Sequence, residues 1–293
     1  MTPPMTRVPR SHRIPAPDGQ VLHALEWDGA APALFCLPGL VRTGGDFVAL
    51  SLGAGAGRRM VAIDYPGRGA SFRLPPHAAL DRYGAEACVR DAIAIADALA
   101  IERAVLVGTS FGGLVAMGIA LARPGMVAGV ALNDIGPDIG AEGAAFVRRF
   151  VAHDPALPDL AACAAYLRAI LPPLSLADDA AWAAMATLTY GPAADGRWRP
   201  LWDTRIAELL DRATPDLWPL FAALTPHPLL ILRGALSNIL SEATLEQMIA
   251  MRQGHAAFTT AATVPGVGHA PSLAEPEAAA AFGRFLDRIG GAG

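Results

Sequence analysis

Compact apolar runs recur along the chain at Ala33–Leu37, Met60–Asp64, Ala104–Val107, Val127–Leu132, Leu229–Leu232 and Thr259–Val264. None alternates polar with apolar, so each reads as a strand covered on both faces rather than half-solvated. A different period separates most of them. Asp81–Ala100 carries Val89, Ile93 and Ala96 at three-to-four spacing, with Asp81 as candidate N-cap, which predicts an amphipathic helix. Ser110–Ala122, Ser241–Gln253 and Glu275–Ile289 repeat the pattern. Ahead of them, "RIPAPDGQVLHALEW" sets the Asp18–Gly19 pair between two extended runs, the signature of an opening β-hairpin. Strands alternating with helices predict an α/β fold: a mostly parallel central sheet flanked by helices.

The alternation fails between the runs ending at Leu132 and starting at Leu229, a gap far longer than an ordinary connection. Helix-like pieces fill it, at Ala141–His153, Leu160–Leu171 and Ala177–Leu188, punctuated by Pro155, Pro158, Pro172 and Pro173. We therefore expect a core domain from residues 1–137 and 226–293, with residues 138–225 inserted as a helical cap. Trp182, Trp198, Trp202 and Trp218 all fall in this segment. Filling the cap's own core accounts for most of them; Trp182 and Trp202 are the candidates for an apolar substrate pocket beneath it.

Composition narrows the partners. Hydrophobic residues make up 53% and charged residues 17% of 293 positions, ample for a large core and too apolar for a disordered chain. The net charge is −4 and no Lys/Arg-rich run occurs, which argues against nucleic acid or an anionic membrane surface. The N-terminal "MTPPMTRVPRSHRIPAPDG" has no apolar run of signal-peptide length, and no uninterrupted apolar stretch anywhere reaches membrane-span length, so the expected setting is cytoplasmic, with a small molecule as partner. Cys36, Cys88 and Cys163 are widely spaced and odd in number, which fits reduced, buried thiols better than a metal site.

The chemistry concentrates in "AVLVGTSFGGLVAMGIA", where an apolar strand runs through Gly108-Thr109-Ser110-Phe111-Gly112-Gly113 into a helix. A sharp strand-to-helix turn lifts the serine above the sheet, and the glycines leave room for that backbone. The helix start adds free N–H groups and a positive dipole end. Alone, so short a pattern is a weak signal; the flanking strand and helix, which the mechanism requires, make it a strong one. "ALFCLPGLVRTGGDF" ends a strand in Pro38-Gly39-Leu40, a loop able to aim N–H groups at a substrate oxygen. "TVPGVGHAPSLAEPEA" places His269 in the loop between the last strand and last helix.

These segments make the chain resemble the α/β-hydrolase fold superfamily, from about Ile14 to Ile289, whose members order their machinery Ser…Asp/Glu…His. The resemblance implies Ser110 as nucleophile, His269 as base, and the N–H groups of Leu40 and Phe111 as the oxyanion hole. "DYPGRGAS", Asp64 to Ser71, resembles the structural turn after the family's fourth strand. Pro38 stands where relatives carry His, which matters little to a backbone donor. It implies no cofactor and no metal. Arg42 lies close enough to the oxyanion loop to meet a substrate carboxylate, although a solvated surface role is the plainer reading.

The acid departs from the pattern. In many relatives the strand matching "PLLILRG" leads to an Asp that holds the histidine, and the matching position is Asn238. An amide there carries no charge and can favour the wrong imidazole tautomer. Three readings stay open. Asn238 replaces a former Asp and impairs the enzyme; or the acid is Asp134, at the end of the preceding strand; or the match is shifted and Glu242 or Asp216 serves. A serine nucleophile implies acyl transfer on a small carboxylic ester or lactone. Hydrolysis of carbon–carbon bonds in vinylogous diketones is the enzymatic alternative, and a non-catalytic small-molecule binder the alternative of another class.

Overall fold

The structure, a computed structural model, describes residues 7–212 and 215–290; the ends of the expected core domain, residues 1–6 and 291–293, and residues 213 and 214 of the insertion lie outside it. In chain order the strands are β1 (Arg10–Pro15), β2 (Val21–Trp27), β3 (Ala30–Leu37), β4 (Arg58–Asp64), β5 (Ala104–Thr109), β6 (Val127–Asn133), β7 (Tyr190–Pro192), β8 (Trp198–Pro200), β9 (Leu229–Gly234) and β10 (Thr259–Val264). Eight of them form one sheet in the order β1-β2-β4-β3-β5-β6-β9-β10. β1 and β2 pair antiparallel, β2 joins β4 antiparallel, and every pairing from β4 onward is parallel. The expected hairpin forms, with Pro15 opposite Val21 and Gly19 at φ +80° in its turn.

Helices α1 (Val48–Leu52), α2 (Ala85–Ala98), α3 (Phe111–Ala122), α4 (Ala141–Ala152), α5 (Leu160–Ile170), α6 (Asp179–Thr187), α7 (Trp218–Ala222), α8 (Glu242–Met251) and α9 (Pro276–Gly290) complete the chain. The strands' lack of alternation has the expected cause. On β3, Phe35 and Leu37 pack with α2 and α3 residues such as Cys88, Ile95 and Val115, whereas Leu34 and Cys36 face Phe282 and Phe285 of α9. Both faces of the sheet are covered by apolar side chains, the arrangement that favours a parallel sheet. Asp81 is not the N-cap of α2. Residues Leu80–Tyr83 make a separate 3-10 turn, Gly84 takes the cap position, and Asp81 pairs instead with Arg212 at 3.0 Å.

Within residues 138–225, α5 and α6 start where Asp159 and Asp178 accept hydrogen bonds from the N–H groups of Ala162 and Ala181, both at 2.8 Å. These caps satisfy amides the first turn would leave unpaired. The hairpin β7–β8 was not expected. Its three-residue strands contain Gly191, Pro192 and Pro200 and show no apolar alternation to read. The segment has its own apolar cluster, including Val151, Cys163, Leu167, Tyr190, Trp202 and Ile206. It touches the loops beyond the carboxyl ends of the core strands: Gly69 donates to the Leu201 carbonyl at 2.8 Å and Gly268 to the Pro173 carbonyl at 2.7 Å.

Candidate active site

The turn from β5 into α3 has the strained geometry its sequence suggests. Ser110 sits at φ +52°, ψ −123°, a backbone that L-residues other than glycine rarely adopt. The turn is pinned by Ser110 N–H donating to the Asn133 carbonyl at 2.9 Å and Gly113 N–H to the Ser110 carbonyl at 2.8 Å. The glycines are sterically required. A Cβ on Gly108 would stand 2.4 Å from the Gly112 carbonyl oxygen, and one on Gly112 would stand 1.9 Å from the Leu37 carbonyl oxygen. Their absence lets α3 begin directly against the end of β3, which brings Gly39 to the serine: a Cβ there would lie 3.8 Å from Ser110 Cβ.

His269 reaches this turn from the loop between β10 and α9. Its Nε2 lies 2.8 Å from Ser110 Oγ and its Nδ1 lies 2.6 Å from Asp134 Oδ2. Of the positions left open for the acid, the structure brings Asp134, not Asn238, to the histidine. The chain leaves β6 at Asp134 with φ +57°, turning the carboxylate across the top of the sheet, where it is fully buried. Burying a carboxylate is costly unless its oxygens are bonded. Here Gly234 N–H donates to Oδ1 at 2.8 Å and Ser237 Oγ donates to Oδ2 at 2.6 Å. The loop after β9 thus supplies donors to the acid instead of the acid. Ser237 turns inward, and Asn238 makes no hydrogen bond to His269; its main-chain carbonyl packs where Gly140 and Gly143 leave room for it. Glu242 opens α8 behind Ser241, whose Oγ accepts from Thr244 N–H at 3.0 Å, and Asp216 accepts from Trp218 N–H at 3.0 Å. Neither bonds to His269, whose ring contacts are Ser110 and Asp134.

Leu40 and Phe111 flank the serine from the β3 loop and from the first position of α3. Among the described residues neither N–H finds a protein partner, so both are free donors. Arg42 is engaged elsewhere: it holds Asp46 through Nε at 2.7 Å and Nη2 at 2.6 Å and reaches Thr189 of the insertion. Its charge is already paired, which weakens the expected contact with a substrate carboxylate. Trp202 is 1% exposed within the insertion's own cluster, donates from Nε1 to the Val151 carbonyl at 2.9 Å, and packs on Phe150 and Tyr190. Trp182 is half-buried at the margin of the same cluster with Arg168 over its ring. Phe146 lines an open groove of about 480 Å³ on the insertion with Phe150, Arg149, His153, Tyr166 and Ile170. No three His, Cys, Asp or Glu side chains among the described residues are grouped to hold a metal, and no described helix is long and apolar enough to cross a membrane.

Residues 34–282 match the sequence model of the Alpha/beta hydrolase family. The chain belongs to that family. A 3-hydroxybutyrate-oligomer hydrolase from Cupriavidus necator is 30% identical over 274 residues, 89% of this chain and 91% of that protein. The crystal structure of an α/β hydrolase from Novosphingobium aromaticivorans matches with a TM-score of 0.86 and 34% identity, covering 97% of this chain and 99% of that one. E-2-(acetamidomethylene)succinate hydrolase matches with a TM-score of 0.79 and 26% identity over 95% of this chain and 99% of its own. This α/β hydrolase is thus similar over most of its length to proteins named as hydrolases. Two of its site residues had no signal in the sequence. Ser237 and Asn133 became visible only through contacts: Asn133 Nδ2 donates to the Pro271 carbonyl at 2.8 Å and to Thr109 Oγ1 at 3.2 Å, tying the histidine loop to the serine turn.

Proposed function

We propose that this α/β hydrolase cleaves a small carboxylic ester or lactone through an acyl-enzyme on Ser110. The observation that carries the proposal is the unbroken hydrogen-bonded path from Ser110 Oγ through both nitrogens of His269 to Asp134. In this reading Nε2 takes the serine proton as Oγ attacks the acyl carbon, and the carbonyl oxygen becomes an oxyanion facing the N–H groups of Leu40 and Phe111. Nε2 then returns the proton to the departing alcohol. Water then loses a proton to Nε2 as it attacks the acyl carbon, the bond from that carbon to Oγ breaks, and Nε2 returns the proton to Ser110 Oγ as the acid leaves. Asp134 accepts from Nδ1–H throughout, which fixes the tautomer and stabilises the imidazolium. Residues 138–225 act as the cap over this centre.

With Asp134 at the histidine, Asn238 gives no support to an impaired enzyme or a binding-only role. The relative from Cupriavidus necator is named for 3-hydroxybutyrate oligomers, so a linear ester of a short hydroxy acid is the first natural substrate to offer. The test is steady-state hydrolysis of p-nitrophenyl butyrate, a short lactone and the 3-hydroxybutyrate dimer by the native chain and by Ser110→Ala. Turnover of at least one oxygen ester, lost in Ser110→Ala, supports the proposal. Turnover of a vinylogous diketone with none of the esters would replace it with carbon–carbon hydrolysis, and no turnover of any would leave a binding protein.

A further inference from the structure

Arg68 is a fully buried arginine with no carboxylate partner among the described residues. An arginine taken out of water without a counter-charge is costly unless its donors are satisfied by other groups. Its Nε donates to the Leu40 carbonyl at 2.7 Å and its Nη1 to the Pro66 carbonyl at 2.6 Å, while Nη2 has no partner. The guanidinium carbon stands 5.8 Å from the ring centres of Tyr65, Tyr83 and Phe111, within range of cation–π attraction. Two of these neighbours, Leu40 and Phe111, carry the oxyanion donors of the proposed mechanism. The backbone of Arg68 is itself fixed, bridged antiparallel to Trp202 of the insertion, with Gly67 and Gly69 bonded to Asp203 and Leu201 on either side.

From this geometry we infer that Arg68 is the positioning residue of the oxyanion loop. Pro38 and Gly39 of this loop are buried and Leu40 packs against the insertion's apolar cluster, but apolar packing does not orient a peptide plane as a hydrogen bond to its carbonyl does. Holding the Leu40 carbonyl from a rigid, buried guanidinium fixes the peptide plane that follows Leu40; the plane that carries the Leu40 N–H precedes it and is held through the Gly39 carbonyl, which accepts from Arg42 N–H at 3.1 Å, so Arg68 anchors the far side of a turn whose near side aims the donor. The buried positive charge also lies beside the Leu40 carbonyl and the Phe111 ring, in a region of weak screening. A lysine cannot reproduce this, since it lacks the planar fork that bonds the Leu40 and Pro66 carbonyls together. The inference rests on the acyl-transfer reading of Ser110 and extends it to a side chain that touches no substrate.

The experiment compares the native chain with Arg68→Met and Arg68→Lys in three measurements: p-nitrophenyl butyrate hydrolysis, inhibition by butaneboronic acid, and thermal unfolding. The boronate forms a tetrahedral, negatively charged adduct on the serine and so reports the oxyanion site directly. Arg68→Met is expected to lower kcat on the order of 10- to 100-fold with KM changed less than about threefold, and to weaken boronate inhibition by a similar factor. Arg68→Lys should fall between it and the native chain, and it decides the matter if Arg68→Met does not fold. Folded variants with a lower melting temperature but unchanged kcat and boronate inhibition would overturn the inference, leaving Arg68 a structural residue. A native chain that neither hydrolyses esters nor binds the boronate would sink the acyl-transfer reading, and this inference with it.

Discussion

Replacing Asp134 by Asn removes one charge at a position whose backbone can accept the change, because Asn tolerates the left-handed φ of +57° better than most residues. The consequence follows from the contacts. Asp134 Oδ2 stands 2.6 Å from His269 Nδ1. As the serine proton moves to Nε2, the ring becomes a cation facing that carboxylate. Taking the charge centres as about 3 Å apart and an effective dielectric near 20, the attraction is worth about 5.5 kcal/mol. That corresponds to about 10⁴ in rate, the same order as the loss recorded for this swap in another serine hydrolase. The amide adds a second penalty, since its NH₂ must face one of the three donors, Gly234 N–H, Ser237 O–H and His269 Nδ1–H, that now converge on the carboxylate. Asn238→Asp is the paired control, expected to change kcat less than about threefold because residue 238 makes no hydrogen bond to the histidine. The assay is kcat for p-nitrophenyl butyrate, with circular dichroism to confirm folding. Asp134→Asn within tenfold of the native rate, or Asn238→Asp faster by orders of magnitude, would refute the argument and return the acid to the loop after β9.

Three further outcomes follow from the packing. Gly112→Ala drives a methyl into the Leu37 carbonyl, so unfolding should become easier by about 3 kcal/mol, lowering the melting temperature by roughly 5 °C in a chain of this length; an unchanged melting temperature would contradict the close approach. Burial, and then the Arg252 guanidinium, hold His227 below the ordinary histidine value of 6.5. The unfolded chain therefore binds this proton first, and the contribution of His227 to stability is lost as pH falls through about 6.5. Denaturation by urea at pH 7.5 and 5.5 should show a smaller acid-side loss in His227→Gln than in the native chain; equal losses would contradict that sign. All three thiols are buried, with Cys88 and Cys163 pushed up to about 11 and Cys36 higher still by burial, so a thiol reagent at pH 8 should label none in the native protein and three after unfolding.

Much of this architecture was legible before any coordinates. Unalternating apolar runs fixed the parallel strands because burial on both faces removes the polar positions, and Gly108, Gly112 and Gly113 announced the turn because nothing larger fits there. Ser110 and His269 stood out by residue type and by place in the strand–helix order. The acid did not. Asp134 and Asn238 both follow strands, and which one reaches His269 depends on a single left-handed residue at the end of β6 and on the inward turn of Ser237, neither of which has a periodicity. Arg68 was unreadable for a similar reason. In "DYPGRGAS" it looks like a turn residue with a solvated charge, whereas the fold buries it against Leu40, Pro66 and the rings of Tyr65, Tyr83 and Phe111. The short hairpin β7–β8 is too brief to leave a pattern.

The central claim is that Ser110 is the activated nucleophile of this α/β hydrolase, and covalent capture tests it without assuming a natural substrate. Native protein and Ser110→Ala would be treated with a p-nitrophenyl alkylphosphonate, then examined by intact mass and peptide mapping. One phosphonyl group per native chain, located on Ser110, with release of one equivalent of p-nitrophenol and no modification of Ser110→Ala, is the predicted result. A folded native chain left unmodified, or modified to the same extent in Ser110→Ala, would contradict the account.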